Sequence, residues 1–330
     1  MSTNGSGNAA VNRSLRQAGK IIIPLQNFSE KFRFFIFPLF IGMCLIFSGC
    51  SSAPKYDPYR PYENILTIMA DCRRFLDVNI YKYPYPDDFT DQNAYKSFLV
   101  RLANYRHIHP DKFQQPVMFM QARLYERLGD YNQAAYYYRQ CSQSDSSLAE
   151  KASERLNVCE NFQTVCNFEI QAETPAQYIE QYLSQLEAMD ILAQKCAGTD
   201  MAPVALVEKE KLQVEYALFL QKNRNLISDG TRRAVKAWEE IIEEHSESKN
   251  YPGHRMMLAD FYVSMAKEYV SRRPPERIGF NWEIFRSYVF PARDVYYQIS
   301  KMDGYPEKLE ASGKLEAVMA WIETIRDKSK

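Results

Sequence analysis

Between Pro116 and Cys141 the chain reads PVMFMQARLYERLGDYNQAAYYYRQC, two runs of helical spacing joined at Leu128-Gly129-Asp130-Tyr131. Apolar or small residues recur every three or four positions: Met118, Ala122 and Tyr125 before the turn, then Ala134, Tyr138 and Cys141 after it. That period predicts two amphipathic helices. Gly129 makes the tight turn between them, a position where a residue without Cβ is favoured. Ala122 and Ala134 are small where the helices would cross, so the two axes can come close, and Tyr125 and Tyr138 fill the space beside the crossing. Three consecutive tyrosines, Tyr136, Tyr137 and Tyr138, cannot all face inward from one helix. With Tyr138 inside, Tyr136 or Tyr137 is left partly exposed, either as ordinary surface cover or as a recognition surface.

The second-helix pattern recurs. Ala234, Trp238 and Ile241 lie in RAVKAWEEIIEEH, and Ala292, Tyr296 and Ile299 lie in PARDVYYQISKM. Their expected first helices carry Ala217 with Leu220, and Ala259 with Tyr262. The later units hold insertions, the largest around SRRPPERIGFNWE, where Phe280, Trp282 and Phe285 read either as packing or as aromatic residues on a loop. Further helices are expected over 63–77, 93–107, 148–162, 175–197, 204–226 and 306–327, with 81–91 a proline-containing loop. These residues together resemble the tetratricopeptide repeat, a 34-residue helix–turn–helix unit. The chain departs from that family at Met118, where Trp is common, and at Ser146, where Pro is common. The resemblance implies an all-α fold, a right-handed α-solenoid of degenerate TPR-like helix pairs. It further implies a concave groove, lined by first-helix residues, that holds a peptide or a partner's helix.

Ahead of the repeats stands FFIFPLFIGMCLIFSGC, Phe34–Cys50. Five bases (Arg13, Arg16, Lys20, Lys31, Arg33) and one acid (Glu30) precede it. A charged lead, an apolar segment and a small-residue exit describe an export signal, and the run is shorter than the ~20 residues a membrane-crossing helix needs. The Ser48-Gly49-Cys50 end resembles the lipobox of bacterial lipoproteins, with Phe47 where Leu is usual. That resemblance implies cleavage after residue 49, acylation of Cys50 with diacylglycerol and an amide-linked chain such as palmitate, and, with Ser51 following, sorting to the outer membrane facing the periplasm. An uncleaved N-terminal anchor is the alternative. The expected organisation is a signal peptide over 1–49, a lipidated cysteine and Pro/Tyr-rich linker over 50–63, and a helical repeat domain over 64–330.

The chain carries 41 basic and 41 acidic residues, and no basic patch argues for nucleic acid. Gly is scarce at 12, long polar side chains are many and β-branched runs few, which favours helices, while Tyr is abundant at 23. Past Cys50 five cysteines remain, Cys72, Cys141, Cys159, Cys166 and Cys196. An odd number leaves at least one thiol outside any intrachain disulfide. Cys159 and Cys166 are too far apart along one helix to bridge, whereas Cys196 could meet one of them across a helix pair. His107, His109 and Asp111 form the one grouping that resembles a metal site, at a helix end where a solvated turn is the ordinary reading. Glu239, Glu240, Glu243 and Glu244 read as a solvated face. No nucleophile elbow, phosphate loop or HExxH occurs, and no catalytic, metal or cofactor residue is expected.

Two functions fit. One is a non-enzymatic scaffold that is anchored by lipid and holds another envelope protein in its groove. It is similar in outline to the repeat lipoprotein of the outer-membrane β-barrel assembly machinery, whose inter-repeat loops NYPGH at 250–254 faintly resembles. Secretion or pilus assembly and regulation of cell-wall enzymes fit equally well. The other is an envelope enzyme or solute-binding lipoprotein with the helices as an accessory, which needs a polar pocket with convergent titratable groups.

Overall fold

The computed structural model describes residues 60–144 and 146–330, with side chains from Asn64 onward. The expected signal peptide, the lipidation site Cys50 and the first part of the linker lie outside the described residues. Tyr59–Lys330 forms one compact unit. Within it the described chain is all-helical: α1 Arg60–Leu76, α2 Ala94–Ile108, α3 Gln114–Leu128, α4 Tyr131–Ser142, α5 Ala149–Cys166, α6 Pro175–Cys196, α7 Ala202–Lys222, α8 Gly230–Glu244, α9 Tyr251–Arg272, α10 Trp282–Ile299 and α11 Glu307–Lys328. Among the described residues the extended backbone amounts to one bridge, Asp87 to Asn93. No described helix is long and apolar enough to cross a membrane.

Helix α1 starts inside the stretch expected to be linker. Pro61 permits this, because an imino nitrogen in the first helical turn forfeits no intrahelical hydrogen bond. Each apolar stripe then meets the next helix. Ile65, Ile68, Cys72 and Leu76 of α1 are buried at helical spacing, as are Ala234, Trp238 and Ile241 of α8. Boundaries follow the local chemistry. Thr174 and Gln177 form a reciprocal cap at the start of α6, with Pro175 in the first turn. Gly129 closes α3 in the left-handed conformation at φ 74°.

Every helix packs on its successor, and α1 also meets α3 as α9 meets α11. Ala122, Ala134, Ala135 and Tyr138 are buried together between α3 and α4. Ala217 and Leu220 of α7 share a cluster with Ala234 and Trp238 of α8 and Phe261 of α9. Helices α6 and α7 are further zipped by two stacked ring pairs, Tyr182 on Tyr216 at 3.9 Å and Tyr178 on Phe219 at 3.6 Å.

The large insertion is non-helical over 273–281, as its paired prolines suggest, and the structure departs from the loop reading only where α10 takes in Trp282 and Phe285. The helix begins at Trp282, capped by Asn281 Oδ1, which accepts from Glu283 N (2.9 Å) and Ile284 N (3.3 Å). It continues through Pro291. Phe285, Val289, Ala292, Tyr296 and Ile299 hold one buried stripe across the proline, and that burial outweighs a missing ladder hydrogen bond. Phe285 is fully buried, and Phe280, Trp282 and Trp321 are half-buried against it, so these rings pack on the core.

Candidate interaction surface

The segment between α1 and α2 carries YKYPYPDDFTDQN over 81–93 and forms no helix. Its far end is fixed by Asn93, whose Oδ1 accepts from Tyr95 N at 3.0 Å and Lys96 N at 3.4 Å and so caps α2. Tyr85 stands edge-on to the buried Tyr95, with ring centroids 6.2 Å apart. The Lys249 ammonium lies 4.1 Å above the Tyr85 ring, a cation–π contact. On the facing side, Asp130 Oδ1 accepts from Gln133 N at 3.0 Å and caps α4.

Between these caps lies a cleft of about 480 Å³ lined by Tyr85, Asn93, Lys96, Leu99, Tyr125, Leu128 and Asp130. That volume is in the range of sites for small molecules or a few side chains. The aromatic wall extends onto the surface. Tyr125 stacks on Tyr137 (5.7 Å, 10° between planes), Tyr136 meets Tyr137 edge-on at 5.2 Å, and Arg106 lies 6.0 Å over the Tyr137 ring. Tyr138 is fully buried while Tyr136 is half exposed. The cleft offers π-faces, a few hydrogen-bonding groups and charges of both signs. It contains no nucleophile paired with a base.

The remaining expected packing residues fall inside. Ala234, Trp238, Ala259, Ala292 and Tyr296 are buried, and Tyr262 is half-buried between two core clusters. Tyr296 Oη donates to Asp260 Oδ1 at 2.6 Å. The first-helix side of the α3/α4 pair is also occupied. Val117 and Leu124 are buried in a cluster that includes Val204 and Val207 of α7. Arg127, equally buried, donates to Leu76 O at 2.8 Å. Val117, Leu124 and Arg127 of α3 are therefore covered by the chain itself, and the cleft stands at the capped ends of α2 and α4.

A second polar constellation is buried and was not foreseen. Glu210, 2 % exposed, accepts through Oε1 from Ser248 Oγ (2.5 Å) and His254 Nε2 (2.6 Å). Burial works against its charge, but the hydrogen bonds from His254 and Ser248 prevail and hold the carboxyl below its ordinary range. His245, 0 % exposed, sits between Gln213 Oε1 at its Nε2 (2.6 Å) and the Tyr81 hydroxyl at its Nδ1 (2.9 Å). The Gln213 amide nitrogen donates to Glu244 at 2.7 Å, so its oxygen faces the ring and Nε2 carries the proton. Nδ1 then accepts from Tyr81. Burial pushes the imidazole below its ordinary value, with Glu210 and Glu244 pulling the other way. Ser248 donates to a carboxylate and not to an imidazole, so its hydroxyl is not activated for attack.

This cluster ties the start of the chain to its middle. Lys249 N donates to Tyr81 O (2.9 Å) and Lys249 Nζ to Ile80 O (2.7 Å). The NYPGH stretch is thus the entry to α9, with His254 turned inward on Glu210. Nothing in sequence spacing relates residue 81 to residue 245, and no local signal could have found the pairing.

Among the described residues no three His, Cys, Asp or Glu side chains are grouped to hold a metal. His109 packs on Tyr105 instead, 4.8 Å between centroids. The five described cysteines are free. Burial pushes the Cys72 and Cys166 thiols up to about 12, which leaves them unreactive near neutrality. Comparison with protein-family models and with curated proteins found no match, so the reading rests on the chain's own residues.

Proposed function

We propose that this chain is a non-enzymatic interaction scaffold of the bacterial cell envelope, held at the outer membrane by a lipid on Cys50 and facing the periplasm. On this reading residues 64–330 are a right-handed solenoid of degenerate TPR-like pairs, and the partner is an envelope protein or peptide. Outer-membrane protein assembly or secretion is the class of process it would serve. The observation that carries the reading is the tyrosine-walled cleft at the capped ends of α2 and α4. Such a surface gives large contact area at low ordering cost. Val117, Leu124 and Arg127 of α3 are buried within the chain, so on this reading the partner sits at the cleft and not on those residues. The anchor has a physical scale: each buried methylene contributes about 0.8 kcal/mol, and two or more acyl chains hold stably where one does not.

Two measurements test the proposal. Cys50→Ser should shift the protein from the membrane fraction to the soluble one, and retention would favour an uncleaved anchor. A photoreactive phenylalanine in place of Tyr125, in the full chain and in the source organism, should give a discrete protein adduct. Absence of any adduct there would sink the scaffold reading.

A further inference from the structure

One phenylalanine stands in water on the segment that carries Tyr85 and Asn93 to the cleft. Phe89 is 99 % exposed, yet the chain around it is tied at many points. Asp88 Oδ1 accepts from Thr90 N (2.8 Å), Thr90 Oγ1 (2.6 Å) and Gln92 N (3.1 Å), and its Oδ2 accepts from Ser97 Oγ of α2 (2.5 Å). Backbone bonds close the same turn: Asp88 N to Gln92 O (2.7 Å), Asp91 N to Asp88 O (3.1 Å) and Ala94 N to Pro86 O (2.8 Å). Asp91 takes a left-handed φ of 58° to complete it. These bonds fix the backbone that carries Phe89, and its ring stands in water.

A lone exposed apolar residue is ordinary and by itself says little. Three further observations set this one apart. First, the turn is rigid, so ordering it costs little on association. An aromatic ring carried on such a turn and left in water still has its apolar area to bury. Second, the ring has company: Tyr83 on the same segment is 61 % exposed, and Tyr85 and Asn93, which flank the turn, line the cleft. Third, the ring is surrounded by negative charge. Asp87 and Asp91 are exposed on either side of it, and Ser97 and Thr90 hold the Asp88 carboxyl well below the usual carboxylate range. Of the cations on and around this segment, Lys82 and Arg101 are engaged with Glu247 and Asp71, Lys249 lies over the Tyr85 ring, and Lys96 faces the cleft.

We infer that Phe89 is a preformed anchor for a protein partner whose surface offers an apolar socket rimmed by lysine or arginine. The ring fills the socket as a buried aromatic hot spot. The carboxylates meet the basic rim and set the rate and salt dependence of encounter. An anionic bilayer is repelled by the same three carboxylates, which favours a protein occupant. The inference rests on the scaffold reading and names the chemistry of its partner.

The test places p-benzoylphenylalanine at position 89 of the full chain in the source organism, beside the Tyr125 probe. The expected result is a protein adduct whose mapped site is apolar with Lys or Arg neighbours. With that protein purified, Phe89→Ala should weaken binding about tenfold or more. The pair Asp87→Asn with Asp91→Asn should weaken it several-fold and flatten its salt dependence. Ser97→Ala leaves the ring intact and frees the turn, and it should fall between. Phe89→Ala should leave the melting temperature unchanged, since the ring touches nothing. An adduct at Tyr125 with none at 89 overturns the inference and leaves the scaffold standing. Adducts at 89 that are lipid, or a protein site without basic residues, overturn it too. Silence at both positions removes both readings.

Discussion

The α1–α5 region and the α9–α11 region are held by different means. Around α1–α5, residues distant in sequence meet through buried charges and hydrogen bonds. Arg155 pairs with Glu126 at 2.8 Å and also with Asp200. Tyr131 Oη donates to Glu208 (3.0 Å), and Tyr81 reaches His245. In α9–α11, Phe285, Val289, Tyr296 and Val318 close an apolar cluster drawn from three successive helices. The second kind of cohesion orders a helix on its neighbour and stops there. The first makes a disturbance at one place felt far along the chain.

The difference can be broken most forcefully at Phe285. Phe285→Ala should cost about 3–5 kcal/mol, and hydrogen exchange should show the loss confined to α9–α11. Equal loss of protection in α1–α5 would mean that the two regions are one cooperative unit. Next comes Glu210→Gln, which keeps the shape but removes the charge that orients Ser248 and His254. Hydrogen bonds to charged groups contribute about 1.5–3 kcal/mol, and amides of 79–85 and 245–254 should lose protection together, far apart in sequence as they are.

Acidification probes the same tie more gently. The imidazole of His245 is held below its ordinary value in the fold, so the unfolded chain binds its proton first. Its contribution is full above about pH 6.5, the unfolded value, and is lost as pH falls below that. Glu210, also lowered, adds a loss in the same direction below the ordinary carboxylate range, about pH 4.3. Chemical denaturation should therefore give a smaller unfolding free energy at pH 5.5 than at pH 7.5, and His245→Gln should flatten that slope. The smallest effect belongs to the exposed ion pair of Lys82 and Glu247 at 2.7 Å. Lys82→Ala should leave the denaturation midpoint nearly unchanged, which separates surface charge from the buried network beside it.

The helices were legible because each carries its own stripe: Ala234, Trp238 and Ile241 announce a helix without reference to anything else. The unit from Pro116 to Cys141 was legible for the same reason, with Gly129 marking its turn. The paired prolines after Arg273 marked a loop that does run over 273–281, but the loop reading also took in Trp282 and Phe285, which the stripe continuing through Pro291 draws into α10. The cleft was half visible. Tyr136 and Tyr137 were marked by crowding on one helix, but Tyr85, Asn93 and Lys96 come from a segment whose approach to Asp130 is set only by packing. The buried histidines were invisible, since Glu210, His245 and Tyr81 become neighbours through tertiary folding alone.

The tie between Ile80 and Lys249 also sets a schedule for biosynthesis. The two residues are 169 positions apart, and at 5–20 residues per second a ribosome needs roughly ten to thirty seconds to pass from one to the other. During that interval Tyr81 and the carbonyl of Ile80 have emerged without the groups that cover them. The early helices can stack as they appear, but their closure waits for residues made much later. The Ile80 carbonyl thus stays without its lysine partner until the entry to α9 has followed it, whether from a ribosome or through an export channel.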